Sequence, residues 1–208
     1  HYNGEKWMLY KLPNNTIVRS VAVVGDKVFT GSYEEFGYWS RDILGTLEYT
    51  SLTHLIKDHE FTSEEFWEIL TFENQVVFRS FSALYSYADN KISVLDPTQI
   101  VSDVLVHKDK LIIAGGTEGL FELVNGELSL LKNQEMLLGK TVTDMINLEN
   151  GILVGTKLHG CYVWDNNSLR PWEPSLNQEL KQHQLNKILK FDEEQIAFGT
   201  IKNGIYLY

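Results

Sequence analysis

The segment "VTDMINLENGILVGT", residues 142–156, has an apolar strand pattern on each side of a short polar turn. Its turn, "ENG" at 149–151, contains the Asn and Gly that tight hairpin turns favour. The second strand is rich in aliphatic and β-branched residues, which are typical of strands, and it ends in the small pair Gly155–Thr156. The segment therefore predicts a β-hairpin with a close-packed end.

The same hairpin pattern occurs five times, and its other copies begin at residues 18, 66, 101 and 185. In every copy a polar residue near the start of the first strand is followed, 11 or 12 positions later, by a small residue. The pairs are Ser20 and Gly31, Glu68 and Ser80, Asp103 and Gly115, Asp144 and Gly155, and Lys187 and Gly199. Successive polar positions are 48, 35, 41 and 43 residues apart by subtraction. Such a period is typical of β-propeller blades, which repeat about every 40–50 residues.

Further strand-like segments complete each repeat. Third strands are predicted at 36–40, 83–88, 119–124, 160–164 and 204–208, and fourth strands at 46–52, 91–96, 126–131 and 168–172. The predicted fold is all-β: one β-propeller domain over residues 1–208 with about five four-stranded antiparallel blades. The blades are predicted at 18–52, 66–96, 101–132, 141–172 and 184–208.

The two ends of the chain bear on how the propeller closes. The fifth repeat stops without a fourth strand, and residues 4–12, "GEKWMLYKL", have a strand pattern with no preceding partner. We expect residues 4–12 to pair with the last blade, because closure removes exposed sheet edges. The alternative is that the chain is a fragment of a larger propeller. Between blades, "PSLNQELKQHQ" at 174–184 has room for two helical turns.

Composition limits the function. The formal net charge is −10 with no basic stripe, which argues against a nucleic-acid partner. Cys161 is the only cysteine, so an internal disulfide and a multi-thiolate metal site are excluded. The six histidines have no metal-binding spacing, and no phosphate-binding or nucleophile-elbow motif occurs. We therefore predict no metal, no cofactor and no catalytic residues.

The turns between second and third strands are predicted to emerge together on one face of the propeller. They contribute aromatic and hydrogen-bonding side chains, as a carbohydrate site requires, because apolar sugar faces stack on aromatic rings. The predicted ligand-binding residues are Tyr33, Glu34, Glu35, Phe81, Thr117, Glu118, Lys157, His159, Lys202 and Asn203. Arg19 and Trp67 flank this set and are further candidates.

The polar positions at the starts of the first strands are predicted to line a central channel. They are Ser20, Glu68, Asp103, Asp144 and Lys187. Channel carboxylates close to one another would suit acid–base chemistry, and the competing interpretation is that they bond backbone amides or water.

Three repeats, "LIIAGGTEGLFEL", "GILVGTKLHGCYVW" and "IAFGTIKNGIYLY", carry a Gly-Thr pair followed within a few residues by Gly. The first repeat has Ser32 in place of Thr, and the second departs further with "RSFSA". In these features the chain resembles the two-component-regulator propeller repeat family. The resemblance implies the periplasmic sensor region of a bacterial hybrid two-component or related transcriptional regulator. It also implies a carbohydrate ligand, attachment to the membrane through other parts of the parent protein, and a homodimer.

From the residues and the resemblance together, we expect a non-catalytic sensor module that binds an oligosaccharide or other small molecule. Two alternatives stay open at the level of sequence. One is a propeller lyase or hydrolase that uses the channel carboxylates. The other is a protein-interaction scaffold, because an aromatic and acidic face also suits protein partners.

Overall fold

The computed structural model describes residues 2, 4–57, 61, 63–95, 100–165, 168–192 and 195–208. It consists of two compact units, residues 1–96 and 97–208. Five antiparallel sheets are the five blades of a β-propeller fold, two in the first unit and three in the second. That all 208 residues act as a single domain stays a prediction.

The first unit contains eight strands in two blades. Blade 1 has the strand order β1-β2-β3-β4, and blade 2 has the order β5-β6-β7-β8. The strands are β1 Ser20–Val24, β2 Lys27–Gly31, β3 Phe36–Arg41, β4 Leu47–Ser51, β5 Glu68–Phe72, β6 Gln75–Arg79, β7 Leu84–Ala88 and β8 Lys91–Leu95. A 3₁₀ turn at Thr53–Leu55 follows blade 1. The hairpins close as the sequence predicts: Glu73 and Asn74 both have positive φ, the requirement of a type I′ turn.

The second unit contains blades 3, 4 and 5. Its strands are β9 Asp103–His107, β10 Lys110–Ala114, β11 Leu120–Val124, β12 Glu127–Leu130, β13 Val142–Leu148, β14 Gly151–Thr156, β15 Gly160–Trp164, β16 Leu169–Pro171, β17 Leu185–Lys190, β18 Ile196–Thr200 and β19 Ile205–Leu207. A 3₁₀ turn lies at Glu135–Leu137, and the predicted interblade helix forms α1, Leu176–His183. Blade 5, in the order β17-β18-β19, has three strands rather than four.

Apolar clusters between neighbouring blades hold each unit together. In the first unit the cluster is mostly aromatic: the ring of the fully buried Phe36 lies 4.5 Å from that of Phe78 and 4.6 Å from that of Phe66, measured between centroids. In the second unit one cluster is built around Trp164 and another around Trp172. The burial of these large rings supplies much of the stability, because hydrophobic stabilisation scales with the apolar area removed from water.

The predicted N-terminal strand is wrong. Residues 4–12, all of them described, belong to no strand, and an isolated bridge joins Tyr2 to Trp7. A strand-like run of apolar residues is not enough for a strand, since the backbone N–H and C=O groups need a neighbouring strand to bond. The sheet of blade 5 accordingly has no strand from residues 4–12.

Candidate functional site

A hydroxyl group braces the turn between the second and third strands in four of the five blades. Ser32 donates its hydroxyl hydrogen to the carbonyl of Glu35, and Ser80 donates to that of Ala83. Thr156 and Thr200 make the equivalent bond to the carbonyls four residues further on, those of Gly160 and Gly204, at 2.6 and 2.9 Å. The Gly-Thr pattern of the sequence is thus a turn-closing device, and "RSFSA" retains it through Ser80.

Blade 3 differs from the sequence alignment of the repeats. Asp103 pairs with Ala114, so the position equivalent to Thr156 is Gly115, which has no hydroxyl and closes the turn through its backbone N–H. Thr117 is therefore not the structural counterpart of Thr156. It lies at the exposed tip of the turn, where its carbonyl accepts a hydrogen bond from the N–H of Gly139.

At least two of the predicted channel positions join neighbouring blades. Ser20 donates its hydroxyl hydrogen to the carbonyl of Phe66, at the start of blade 2. Asp144 is almost fully buried and accepts hydrogen bonds from the Lys187 ammonium, at 2.5 Å, and from the backbone N–H of Ile188. Ser20 thus links β1 to the segment before β5, and Asp144 links β13 to β17. The bond from the Ile188 N–H to Asp144 is of the kind that the competing interpretation expects.

Two further predicted channel positions are Glu68 and Asp103. Glu68 forms an ion pair with Arg79 at 3.0 Å, and the two residues are also direct partners across β5 and β6. Asp103 is buried at the start of β9. That these positions line a channel stays a prediction.

In the first unit the connecting segment Ser63–Trp67 lies between the turns of blades 1 and 2. The N–H of Glu34 donates to the carbonyl of Glu64, and the N–H of Phe66 donates to the carbonyl of Ser32. On the other side, the hydroxyl of Ser82 donates to the buried carboxylate of Glu64. The two turns and the connecting segment therefore form one continuous polar surface, with a backbone held by hydrogen bonds.

Four side chains on this surface form what we call the aromatic–arginine cluster: Arg19, Trp67, Arg79 and Phe81. The rings of Trp67 and Phe81 are 5.8 Å apart between centroids and are 38% and 51% exposed. The guanidinium of Arg19 lies 4.9 Å from the Trp67 ring, and that of Arg79 lies 5.7 Å from the Phe81 ring. Exposed rings that are held in place by contact with guanidinium groups are pre-organised to bind the apolar face of a ligand.

Tyr33, Glu34 and Glu35 have different environments although they are consecutive. Tyr33 is partly exposed, and its backbone is held by the amide of Asn14 at 2.8 Å. Glu34 has a positive φ, and its carboxylate accepts a hydrogen bond from the N–H of Ser63. Glu35 points inward: it is buried, and its carboxylate accepts the hydroxyl hydrogen of Tyr49 at 2.9 Å. A ligand on this surface would meet Tyr33 and Glu34 before Glu35.

The Tyr49–Glu35 bond gives a pH-dependent prediction. Burial, and then the adjacent Glu35 carboxylate, raise the pKa of Tyr49 above its usual value. A tyrosine in the unfolded chain ionises near pH 10, so the pH-dependent stability from Tyr49 is fully present below about pH 10 and is lost as the pH rises above it. We expect Tyr49→Phe to cost about 1 kcal/mol at neutral pH and to make the alkaline loss of stability less steep. Urea unfolding from pH 7 to 11 measures both, and parallel curves for the two proteins would contradict this assignment.

The turn residues of the second unit are exposed, and their backbones are fixed. Thr117, Glu118, Lys157, His159, Lys202 and Asn203 are all exposed. The N–H of Lys157 donates to the backbone carbonyl of Thr141, and the N–H of Lys202 donates to that of His183. The amide of Asn203 also donates to the Tyr206 hydroxyl at 2.5 Å. Whether these six side chains take part in one ligand site with those of the first unit stays a prediction.

The second unit also has a groove of about 830 Å³ that the sequence did not indicate. It lies between blades 4 and 5, and it includes the hairpin turn at the far end of β13. Its lining includes Glu149, Arg170, Trp172 and Lys190. Its size is within the range of small-molecule sites, so it is the alternative location for a ligand.

Arg79 and Glu65 were not among the predicted site residues. For Arg79, the sequence contained a pattern that could have indicated its role. Arg79 occupies the position opposite the first-strand polar residue, where the other blades have Gly31, Ala114, Gly155 and Gly199. A large cation in a small-residue position, facing the acidic Glu68, indicates an ion pair. Glu65 forms an ion pair with Arg19 at 2.9 Å across 46 positions of sequence, and nothing local indicates that contact.

The described residues contain neither a cluster of metal-binding side chains nor a membrane-spanning helix. No group of three or more His, Cys, Asp or Glu side chains in these parts of the chain is arranged to hold a metal ion. Likewise, within the described ranges no helix has the length and apolar character needed to cross a membrane.

The similarity of this chain to known proteins is found by comparing structures and not by comparing sequences, and it concerns the fold. No protein-family profile matches the chain, and no curated protein matches it in sequence. Among solved structures it resembles the extracellular domain of the putative hybrid two-component system BT4673 from B. thetaiotaomicron, with a TM-score of 0.65 and 19% identity over 91% of this chain and 26% of that one. It also resembles the WD40 β-propeller domain of Doa1, with a TM-score of 0.64 and 14% identity over 93% of this chain and 65% of that one.

A third similar structure is the N-terminal domain of Nup159, with a TM-score of 0.57 and 13% identity over 89% of this chain and 54% of that one. The chain thus spans less than two thirds of the length of each of the three. At these identities the likeness establishes a fold and leaves the ligand to be inferred from the residues themselves. The chain has the β-propeller fold.

Proposed function

We propose that this chain is a ligand-sensing propeller module of a bacterial signal-transduction regulator, located outside the cytoplasm. It binds a carbohydrate or a related small molecule and performs no chemistry on it. The observation that carries the proposal is the aromatic–arginine cluster, in which two exposed rings lie beside two ion-paired guanidiniums on a braced surface. Apolar ring faces and paired donors and acceptors are what a sugar requires.

The similarity to the extracellular domain of BT4673 supports the sensor role and the location, and the sequence resemblance points in the same direction. The ion pairing of two of the predicted channel carboxylates supports binding without chemistry. Asp144 and Glu68 are both held in ion pairs. A carboxylate committed to such a bridge is poorly placed as an acid or base, which needs contact with the reacting atom. Dimerisation as the means of passing on the signal is a further prediction from the resemblance.

Removal of either exposed ring should weaken sugar binding. We expect Trp67→Ala and Phe81→Ala each to raise the dissociation constant about tenfold or more, because aromatic anchors dominate the energetics of such sites. Calorimetric titration of neutral oligosaccharides measures the effect. A ligand at about 100 times its dissociation constant should also stabilise the wild-type protein by about 2.7 kcal/mol.

The matched control is Phe191→Ala, which removes an exposed phenylalanine next to the β17–β18 turn. It should leave the affinity unchanged. Loss of binding in Arg170→Ala with full binding in Trp67→Ala would move the site to the groove of the second unit and contradict the cluster as the site. Conversion of a bound oligosaccharide to products, followed by chromatography, would contradict the absence of catalysis.

A further inference from the structure

The charges around the aromatic–arginine cluster restrict the class of ligand. Each guanidinium of the cluster is already paired with a carboxylate: Arg19 with Glu65 at 2.9 Å, and Arg79 with Glu68 at 3.0 Å. The side chain of Arg79 is only 9% exposed, and that of Glu68 is 28% exposed. A partly buried pair is screened less by solvent and salt than an exposed one. The two cations are therefore not available as a bare positive site.

The surroundings add negative charge rather than positive. The two turns and the connecting segment also contain Glu34, Glu35 and Glu64. Their carboxylates accept hydrogen bonds from neutral donors: the Ser63 N–H, the Tyr49 hydroxyl and the Ser82 hydroxyl. Together with the paired Arg19, Glu65, Glu68 and Arg79, these residues make two arginines and five glutamates, a formal charge of −3. An anionic ligand would meet repulsion here.

The same groups suit uncharged hydroxyls. An ion-paired Arg retains N–H donors that its partner does not use, and a carboxylate retains acceptor lone pairs. Arg19 reaches Glu65 through one terminal nitrogen, Nη2. Adjacent donors and acceptors beside an exposed ring match the adjacent hydroxyls and the apolar face of a pyranose.

We infer that the aromatic–arginine cluster selects neutral sugars over anionic ones, and that Glu65 and Glu68 determine this specificity by neutralising Arg19 and Arg79. The inference rests on the proposed function, because it names the ligand class of the same site. Removal of a glutamate charge, without removal of the guanidinium, leaves a positive charge next to the aromatic rings that this carboxylate no longer offsets. The site then gains affinity for carboxylate-bearing sugars.

The test compares neutral and anionic oligosaccharides, and its matched pair has the same ring and linkage. The pair is β-1,4-linked mannotetraose and the β-1,4-linked mannuronate tetramer, which differ at C6. Further probes are the β-1,4-linked glucan and galactan tetramers, which are neutral, and the α-1,4-linked galacturonate tetramer, which is anionic. Titrations use the full chain as wild type, Glu68→Gln and Glu65→Gln. The control is Glu127→Gln, which makes the same charge change at an exposed residue at the start of β12, outside every predicted site. Melting curves confirm that every variant is folded.

For the wild type we expect neutral tetramers to bind at least about tenfold more tightly than uronates, with little change between low and high salt. In Glu68→Gln we expect uronate affinity to rise about tenfold and to fall again with salt, because the positive charge of Arg79 is then no longer offset by Glu68 and attracts the uronate carboxylate. The affinity of neutral tetramers should change little. Glu65→Gln should act in the same direction through Arg19, and Glu127→Gln should behave as the wild type.

The outcomes separate this inference from the proposed function. Tight uronate binding by the wild type, or unchanged selectivity in both folded glutamate variants, overturns the inference and leaves sugar sensing intact. If one glutamate variant does not fold, the other decides. Failure of every probe to bind the wild type overturns the proposed function as well as the inference.

Discussion

Replacement of Asp144 by alanine is expected to lower the free energy of unfolding by about 3 kcal/mol, because it breaks a buried bridge between two blades. The Asp144 carboxylate accepts hydrogen bonds from the Lys187 ammonium and the Ile188 N–H, both on β17, the first strand of blade 5. Without the carboxylate, the N–H of Ile188, a residue only 2% exposed, loses its acceptor. A buried donor without a partner carries its full desolvation cost.

Two variants identify which bond matters. Lys187→Gln should cost less than Asp144→Ala, because the Lys187 side chain is 62% exposed and an exposed ammonium regains water. Asp144→Asn retains an acceptor for Ile188 and should also cost less. Urea unfolding followed by the fluorescence of Trp164 and Trp172 reports on this unit. Equal losses in Asp144→Ala and Lys187→Gln would show that the ion pair, and not the backbone bond, holds the blades.

Gly31→Ala is expected to lower the free energy of unfolding by about 2 kcal/mol through overpacking. A methyl group at Gly31 would lie 2.6 Å from the Cβ of Phe66, 2.6 Å from the hydroxyl oxygen of Ser20 and 2.9 Å from the Phe66 carbonyl oxygen. The carbonyl and the Cβ belong to the segment entering blade 2 and cannot rotate away. The blades would have to separate, which also disturbs the bond from Ser20 to Phe66.

The chain provides a matched control at the same position of another blade. At Gly199 the nearest atoms to an added methyl group are the carbonyl oxygen and Cβ of Lys187, at 3.7 and 3.9 Å, so Gly199→Ala should change stability little. Gly155→Ala should be intermediate, because the atoms it would meet are the ends of the Leu185 and Ile188 side chains. Thermal unfolding of the three variants measures the order, and equal losses would contradict the packing explanation.

Proximity to the candidate site makes Gly31→Ala informative about function as well. Gly31 precedes Ser32, whose hydroxyl closes the turn and whose carbonyl receives the N–H of Phe66. A shift of this turn would move Trp67, which follows Phe66. We therefore expect the variant to weaken ligand binding in addition to stability, whereas Gly199→Ala should affect neither.

The sequence by itself determined the elements that depend on near neighbours in the chain. Hairpin strands, turn residues, most third and fourth strands, and the helix at Leu176–His183 were all predicted, and β15 was predicted with its bounds at 160 and 164. These features follow from the alternation of apolar residues and from local turn chemistry, which act over a few residues. The incorrectly predicted strand at 4–12 shows the limit of that information. Its sequence was strand-like, but whether its backbone had a neighbouring strand to bond depended on the tertiary structure.

Only the tertiary structure decided which side chains meet. Arg19 reaches Glu65, Ser20 reaches Phe66 and Asp144 reaches Ile188, each across more than forty residues. Glu35 was predicted as a ligand residue and proves to be turned inward toward Tyr49. Such contacts depend on how closely one blade packs on the next, and packing is a property of surfaces that are remote in sequence. The repeat therefore fixed the blades, whereas the docking of blade on blade created the aromatic–arginine cluster.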